Sequence, residues 1–505
     1  MLQLVLCCLY VLLFVFIIYK NAFFRLPGLS PQSTILLFLL KVLTGTLLWK
    51  VFVSYYPTSD ATVFFKDSEL LYETFWEQPV QFFRLLFGIL DDPALQPIQA
   101  KMTGWSNAPD AFLINDSRTL IRLNALFRFG SFGYFYIHAI IMCFLSFTGL
   151  VYLYKLFFPY LRNLYILLII ALFLSPSVLF WSSAVLKEGI LFLGLGMMLY
   201  HCQCGLRNQY SYKNCIGLVL GTAILVLVKI YVLFALLPAL LANFWIACSN
   251  HKYIVVKYIA SYSLFTLFLL FARSISPVLD VATILKDKQT NFMNMAKGGM
   301  LLQHDSSYVY LDYNQKNYLE YAGNQKYKLK KGYRYISFRH IADTVWIDGA
   351  ADTANYTLLY AIAPSTSAFA IEKIRPSFVD ILKRFPFAFF NTLAIPALFS
   401  LDKTFSGLLL VQNMLLLLFM LCILVFFVRK QVPLAITLFC FSFVCILFSL
   451  IGITTPVLGA LVRYRIPGIP FLIIGFSLIA DERKIMNVIQ GFKGNLFKKL
   501  PYFKK

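Results

Sequence analysis

Long apolar runs separated by short basic connections set the pattern of this chain. The runs recur near 2–19, 35–56, 133–157, 162–181, 185–202, 214–229, 230–248, 254–272, 405–428, 432–452 and 464–481. Several approach the ~20 residues needed to cross a hydrocarbon core. No alternating ten-residue barrel pattern accompanies them, so backbone groups in lipid must be satisfied within helices. The pattern predicts an all-α polytopic membrane protein with about 11 transmembrane helices. The first run lacks a basic segment ahead of it and a small-residue cleavage site behind it, and reads as a retained helix.

Orientation follows from Lys and Arg in the short connections. Lys20 and Arg25, Lys155 and Arg162, Arg207 and Lys213, Lys252 and Lys257, and Arg429 and Lys430 all fall on one side, as does a tail from Arg483 to Lys505. That side is expected to be cytoplasmic, with the N-terminus outside. Two long segments, about 57–132 and 273–404, then lie on the extracytoplasmic face. Both carry amphipathic pieces suited to lying along the interface, such as Phe82-Phe83-Arg84-Leu85-Leu86 and the stretch from Phe378 to Phe390. The expected division is an N-terminal bundle over 1–272, a large loop over 273–404, and C-terminal helices with a basic tail over 405–505. No internal repeat is visible, which gives no support to a transporter built from inverted halves.

Composition agrees with this class. Hydrophobic residues make up 60% and charged residues 13%, with a mean hydropathy of +0.73, outside the range of soluble domains. The formal charge of +22 does not signal nucleic acid, because the basic residues gather at membrane-flanking positions with no binding motif around them. Anionic headgroups of membrane lipids and phosphate-linked substrates are the expected partners. Cys202, Cys204 and Cys215 lack a histidine or fourth cysteine at metal-site spacing and read as thiols.

Candidate chemistry sits where charges meet the membrane boundary. Asp60 follows an apolar run, and Asp67 lies seven residues on, on the same helical face. Asp60 reads either as a general base or as a helix cap, and Asp67 as its assistant or as a cation ligand. The stretch Pro176-Ser177-Val178-Leu179-Phe180-Trp181-Ser182-Ser183-Ala184-Val185-Leu186-Lys187-Glu188 places Lys187 and Glu188 at the start of a helix, as a substrate site or a mutual ion pair. Lys229 lies between two short apolar runs and reads as an anion ligand or a snorkelling lysine. Arg463 and Arg465 precede the last run on the side the positive-inside rule disfavours, where a lipid phosphate would explain them. The expected topology sets all seven residues at one boundary. A carboxylate opposite cations suits transfer from a lipid-phosphate donor, since the leaving phosphate needs positive charge and the acceptor hydroxyl needs a base.

The acidic start of the first long segment, the Pro-Ser-Val-Leu-Phe-Trp-Ser-Ser-Ala-Val-Leu-Lys-Glu stretch and the Arg463-Tyr464-Arg465-Ile466-Pro467-Gly468-Ile469-Pro470 ending resemble GT-C-type membrane glycosyltransferases. The nearest likeness is to uncharacterised bacterial members related to the mannosyltransferase and aminoarabinose-transferase group. The resemblance implies a bacterial inner-membrane enzyme with an extracytoplasmic active site. It also implies inverting transfer from a polyprenyl-phosphate sugar donor to a glycan, lipid or protein acceptor. It matches Asp60 to the first-loop acid, and Lys187, Arg463 and Arg465 to basic positions at the membrane edge. Many relatives carry adjacent or closely spaced acids, whereas this chain has Ser59-Asp60 and then Asp67, which leaves a divalent-cation requirement open. The rival readings are a polysaccharide polymerase or ligase, favoured by basic catalytic residues, and a lipid-linked glycan flippase or transporter.

Overall fold

A computed structural model describes residues 1–55, 59–89, 92–106, 116–207, 211–249, 252–276, 279–304, 307–323, 326–338, 345–349, 354–398, 404–429 and 431–487. Tyr56, Pro57 and Thr58 of the opening acidic stretch, Lys430, and the tail lysines from Lys493 to Lys505 lie outside the described residues. The chain divides into two units: 1–265 with 397–447 and 465–505, and 266–396 with 448–464. The N-terminal half and most of the C-terminal portion of the chain thus form one unit, and 448–464 joins the large central segment.

In the first unit the helices are α1 (Leu2–Lys20), α2 (Pro31–Tyr55), α3 (Asp60–Glu77), α4 (Pro79–Phe87), α5 (Gln96–Lys101), α6 (Thr103–Ser106), α7 (Asp116–Ser131), α8 (Phe135–Phe157), α9 (Tyr165–Ile169), α10 (Pro176–Trp181), α11 (Lys187–Leu206), α12 (Tyr212–Cys248) and α13 (Ile254–Ile275). The helix α13 runs on into the second unit. There it is followed by α14 (Val281–Lys297), α15 (Phe378–Leu398), α16 (Thr404–Phe426), α17 (Leu434–Thr454), α18 (Leu458–Tyr464) and α19 (Gly468–Ile479), of which α16, the start of α17 and α19 return to the first unit. Among the described residues, eight helices are long and apolar enough to cross a membrane, or nine if α18 and α19 form one broken span. Its membrane-spanning part is all-α, as expected for an integral membrane protein.

Glycines set the closest helix approaches, as they do where helices must pack without a hydrophobic drive. A Cβ on Gly149 of α8 would lie 2.2 Å from Phe192 O of α11, and one on Gly196 would lie 2.0 Å from Gly149 O. Because backbone cannot yield as a side chain can, Gly149→Leu is expected to destabilise by at least about 3 kcal/mol. Gly205→Ala, which meets nothing within 4 Å, is expected to leave thermal unfolding in detergent almost unchanged.

The helix α12 is two helices joined at Lys229, whose φ of −154° and ψ of 80° are not helical. Gly221 approaches Met198, and Lys229 reaches Glu188 at the start of α11. Beyond Lys229 the chain does not continue away from α11. Asn243, Ile246 and Ala247 line the same cavity as Gln203, Leu206 and Arg207 at the other end of α11. Eighteen residues past Lys229 the chain has therefore come back along α11 by roughly the 27 Å that such a helix spans. The two short runs predicted on either side of Lys229 form two antiparallel helical segments.

The second unit contains a seven-stranded antiparallel sheet that the apolar pattern did not predict for 273–404. Its strands are β1 (Gly299–His304), β2 (Ser307–Leu311), β3 (Leu319–Gly323), β4 (Lys326–Leu329), β5 (Arg334–Phe338), β6 (Val345–Asp348) and β7 (Tyr356–Ile362). They are ordered β3-β4-β7-β1-β2-β5-β6. One face buries Met300, Leu302, Val309, Leu311, Leu319, Leu329, Tyr335 and Tyr356 as a core. Alternate positions, such as Tyr308 and Tyr310, remain partly exposed, the period-2 signature of a one-sided sheet. The stretch from Phe378 is helical, as expected for an interfacial element. It carries Phe387 and Phe390 exposed while Thr392 Oγ1 donates to Phe448 O at 2.8 Å.

Candidate active site

Ser59 is the N-cap of α3, so Asp60 is the first helical residue and not the cap. Asp60 is exposed. Asp67, two turns further in, is buried and accepts the Gly104 N–H at 2.6 Å through Oδ2. Gly104 has little room for a side chain, since an added Cβ would meet Val63 and Asp67 at about 3 Å. Seven residues of helical rise set the two carboxylates roughly 10 Å apart. Asp67 therefore fastens α6 to α3 and does not share a proton with Asp60.

The helix α7 closes the site with three buried arginines, Arg118, Arg122 and Arg128. Arg118 Nε donates to Trp105 O at 3.1 Å and Arg122 Nε to Leu85 O at 2.8 Å. Both guanidinium groups lie about 5 Å from the centre of the Trp105 ring, at 5.3 and 5.0 Å, within cation–π range. Burial lowers the pKa of both guanidinium groups from the ordinary arginine value, and that of Arg122 falls to about 10, with the Arg118 charge adding to burial. Arg128 donates to Phe65 O at 2.7 Å and to Ser68 Oγ at 3.0 Å, stitching α7 to α3. None of these arginines was singled out from sequence. Their signal is the spacing of Arg118 and Arg122, one turn apart and so on one face of α7, with Arg128 turned toward α3.

Lys187 and Glu188 do not pair with each other. Lys187 Nζ lies 2.8 Å from Asp116 Oδ2 and donates to Ser117 Oγ at 3.1 Å, with the Phe64 ring 5.2 Å away. Lysine has three N–H donors, so among the described residues one remains for a ligand oxygen. Glu188 is fully buried and accepts from Lys229 Nζ at 3.0 Å. The charges acting on Lys187 include Asp116, Asp60 and Lys229. Asp60, Asp116, Lys187, Glu188 and Lys229 therefore form one electrostatic group, built from α3, α7, α11 and the break in α12. Thr119 Oγ1 donates to Leu227 O at 3.2 Å and ties α7 to that break.

The two expected arginines, Arg463 and Arg465, fall in different units. Arg465 is buried in the first unit, where its Nη2 donates to Asn413 Oδ1 at 2.5 Å. Next to Asn413, Gln412 accepts from both N and Oγ of Ser177. Arg463 belongs to the second unit and is partly exposed.

No family model, curated protein or solved structure matches this chain. Among the described residues, no three His, Cys, Asp or Glu side chains converge as a metal-ligating group.

A further intramembrane charge was hidden within the run 35–56. Lys41 is buried, and its Nζ donates to Ser182 Oγ at 2.5 Å, with no ion pair among the described residues. A buried charge with only a hydroxyl partner contributes little to stability, and an apolar residue of similar volume replaces such charges at neutral or favourable cost. Lys41→Met is expected to unfold at the wild-type temperature or above it. A lower unfolding temperature would show that the lysine makes a net stabilising contribution.

Proposed function

We propose that this protein is a membrane glycosyltransferase that moves a sugar from a polyprenyl-phosphate carrier to an extracytoplasmic acceptor. The observation that carries the reading is an exposed carboxylate, Asp60, whose charge acts on a cation, Lys187, that is almost entirely buried and, among the described residues, keeps one N–H donor uncommitted. The acceptor hydroxyl attacks the anomeric carbon as Asp60 takes its proton. The bond from that carbon to the phosphate oxygen breaks with inversion, and the polyprenyl phosphate leaves with the electron pair. Lys187 supplies positive charge to the leaving phosphate, where such charge acts most strongly away from water. The pair Glu188–Lys229 holds α11 and α12 in register beneath it, and Arg118 and Arg122 hold α7. Arg463 and Arg465 enter this reading as membrane-edge cations for the carrier.

An eleven-crossing topology belongs with this proposal. The eight long helices are completed by the second pass of α12, by α9 with α10, and by α18 with α19. The N-terminus and the sheet are then outside. In a cysteine-free background, Lys316→Cys is expected to react with an impermeant maleimide added from outside, and Lys484→Cys only after permeabilisation. Reaction of both from the same side would reject the topology. The activity itself is tested by incubating purified protein with a polyprenyl-phosphate sugar and following release of polyprenyl phosphate, with Asp60→Asn as the matched control.

A further inference from the structure

A second cluster of cations surrounds a cavity far along α11 from Lys187. The cavity holds about 340 Å³ and is lined by Arg25, Lys155 and Arg207 together with Pro27, Tyr200 and Cys204. The three cations come from separate parts of the chain: the connection after α1, the last turn of α8, and the C-cap of α11. Among the described residues no ion pair involves any of them. Three like charges around one space repel one another, so the arrangement is unfavourable until an anion enters.

The cations are held by fixed structure. Tyr154 OH donates to Pro27 O at 2.7 Å, and Gly28, at φ +83°, packs against the Tyr165 ring, which fixes the connection carrying Arg25. The Lys155 ammonium lies 4.5 Å from the centre of the Phe23 ring. The Arg207 N–H bonds to Gln203 O and Cys204 O, and Arg207 Nη2 donates to Tyr160 OH at 3.4 Å. Leu156, Gln203 and Arg207 also line a neighbouring cavity of about 490 Å³, whose wall is otherwise largely apolar and includes Leu240 and Phe439. A cationic recess opening beside an apolar one matches a phosphate joined to hydrocarbon.

We propose that this basic cavity binds the phosphate headgroup of an anionic membrane lipid, whose acyl chain occupies the adjoining apolar cavity. The site is separate from the one assigned to sugar transfer, and it lies on the face that the basic connections mark as cytoplasmic. It would make the packing of α8 and α11 sensitive to lipid charge.

The test is thermal unfolding of the full chain in detergent, titrated with dioctanoyl phosphatidylglycerol, dioctanoyl phosphatidylcholine or inorganic phosphate. The anionic lipid is expected to raise the unfolding temperature saturably, and the zwitterionic lipid not to do so. At roughly fivefold in affinity for each cation, the triple variant Arg25→Gln/Lys155→Gln/Arg207→Gln is expected to bind about a hundredfold more weakly. The charge-preserving triple Arg25→Lys/Lys155→Arg/Arg207→Lys is expected to stay within a few-fold of wild type. Should the neutral triple fail to fold, Arg207→Gln alone, at an exposed helix end, is expected to show the single fivefold loss. An unchanged response in that single variant, or in a folded triple variant, overturns the proposal. Inorganic phosphate reproducing the lipid effect at equal concentration overturns the lipid assignment and identifies a soluble phosphate as the ligand.

Discussion

Asp60→Asn is expected to lower sugar transfer by roughly 10²–10⁴-fold, the range that a positioned general base contributes, while the protein folds and inserts normally. The substitution keeps the shape of the side chain and removes only the charge that accepts a proton. It does not disturb a cap, because the N-cap of α3 is Ser59. It does not leave a cavity, because Asp60 is exposed. A loss of rate can therefore be read as chemistry once unfolding temperatures match. Asp67→Asn is expected to behave in the opposite way. Its carboxylate is buried against the Gly104 N–H, and a charge-assisted bond of that kind contributes to folding more than to the reaction. Stability should fall first, and turnover only as α6 loosens.

Lys229→Met should be among the most destabilising single substitutions in the chain, costing about 3–5 kcal/mol. It removes the 3.0 Å cationic partner of Glu188, whose carboxylate is fully buried. Glu188→Gln removes the opposite charge from Lys229 instead and should cost a similar amount. The double variant Glu188→Gln/Lys229→Met removes both charges and should recover most of the loss, since replacing a buried pair costs far less than removing one of its charges. Unfolding temperatures of the four proteins complete a double-mutant cycle. Additive losses would mean that the two residues do not act as a pair.

The membrane helices were legible because ~20 apolar residues leave lipid as the only solvent. The break at Lys229 also left a trace in the sequence, one charge between two short apolar runs. The partners of the charges were not. Lys187 and Glu188 are neighbours in sequence, yet successive helical residues point about 100° apart. One meets Asp116 on α7 and the other Lys229 on α12, and only the packed bundle decides that. The sheet was missed for a different reason. A window wide enough to find a membrane helix averages away strands of four to seven residues. The alternation was nevertheless present in Tyr308-Val309-Tyr310-Leu311 and in Lys326-Tyr327-Lys328-Leu329, where every second residue faces the core. Lys41 was hidden because a single lysine scarcely changes the mean of an apolar run. Arg118 and Arg122 were hidden because arginine in a long outer segment reads as solvated until Trp105 is seen between them.

Photoaffinity labelling with a polyprenyl-phosphate sugar carrying a diazirine near its phosphate tests the central claim most directly, since it needs no knowledge of the acceptor. The account predicts crosslinks within 59–67 and 182–188, competed away by unlabelled polyprenyl-phosphate sugar and weakened in Lys187→Gln. Labelling that avoids both segments, or that persists undiminished under competition, would contradict it.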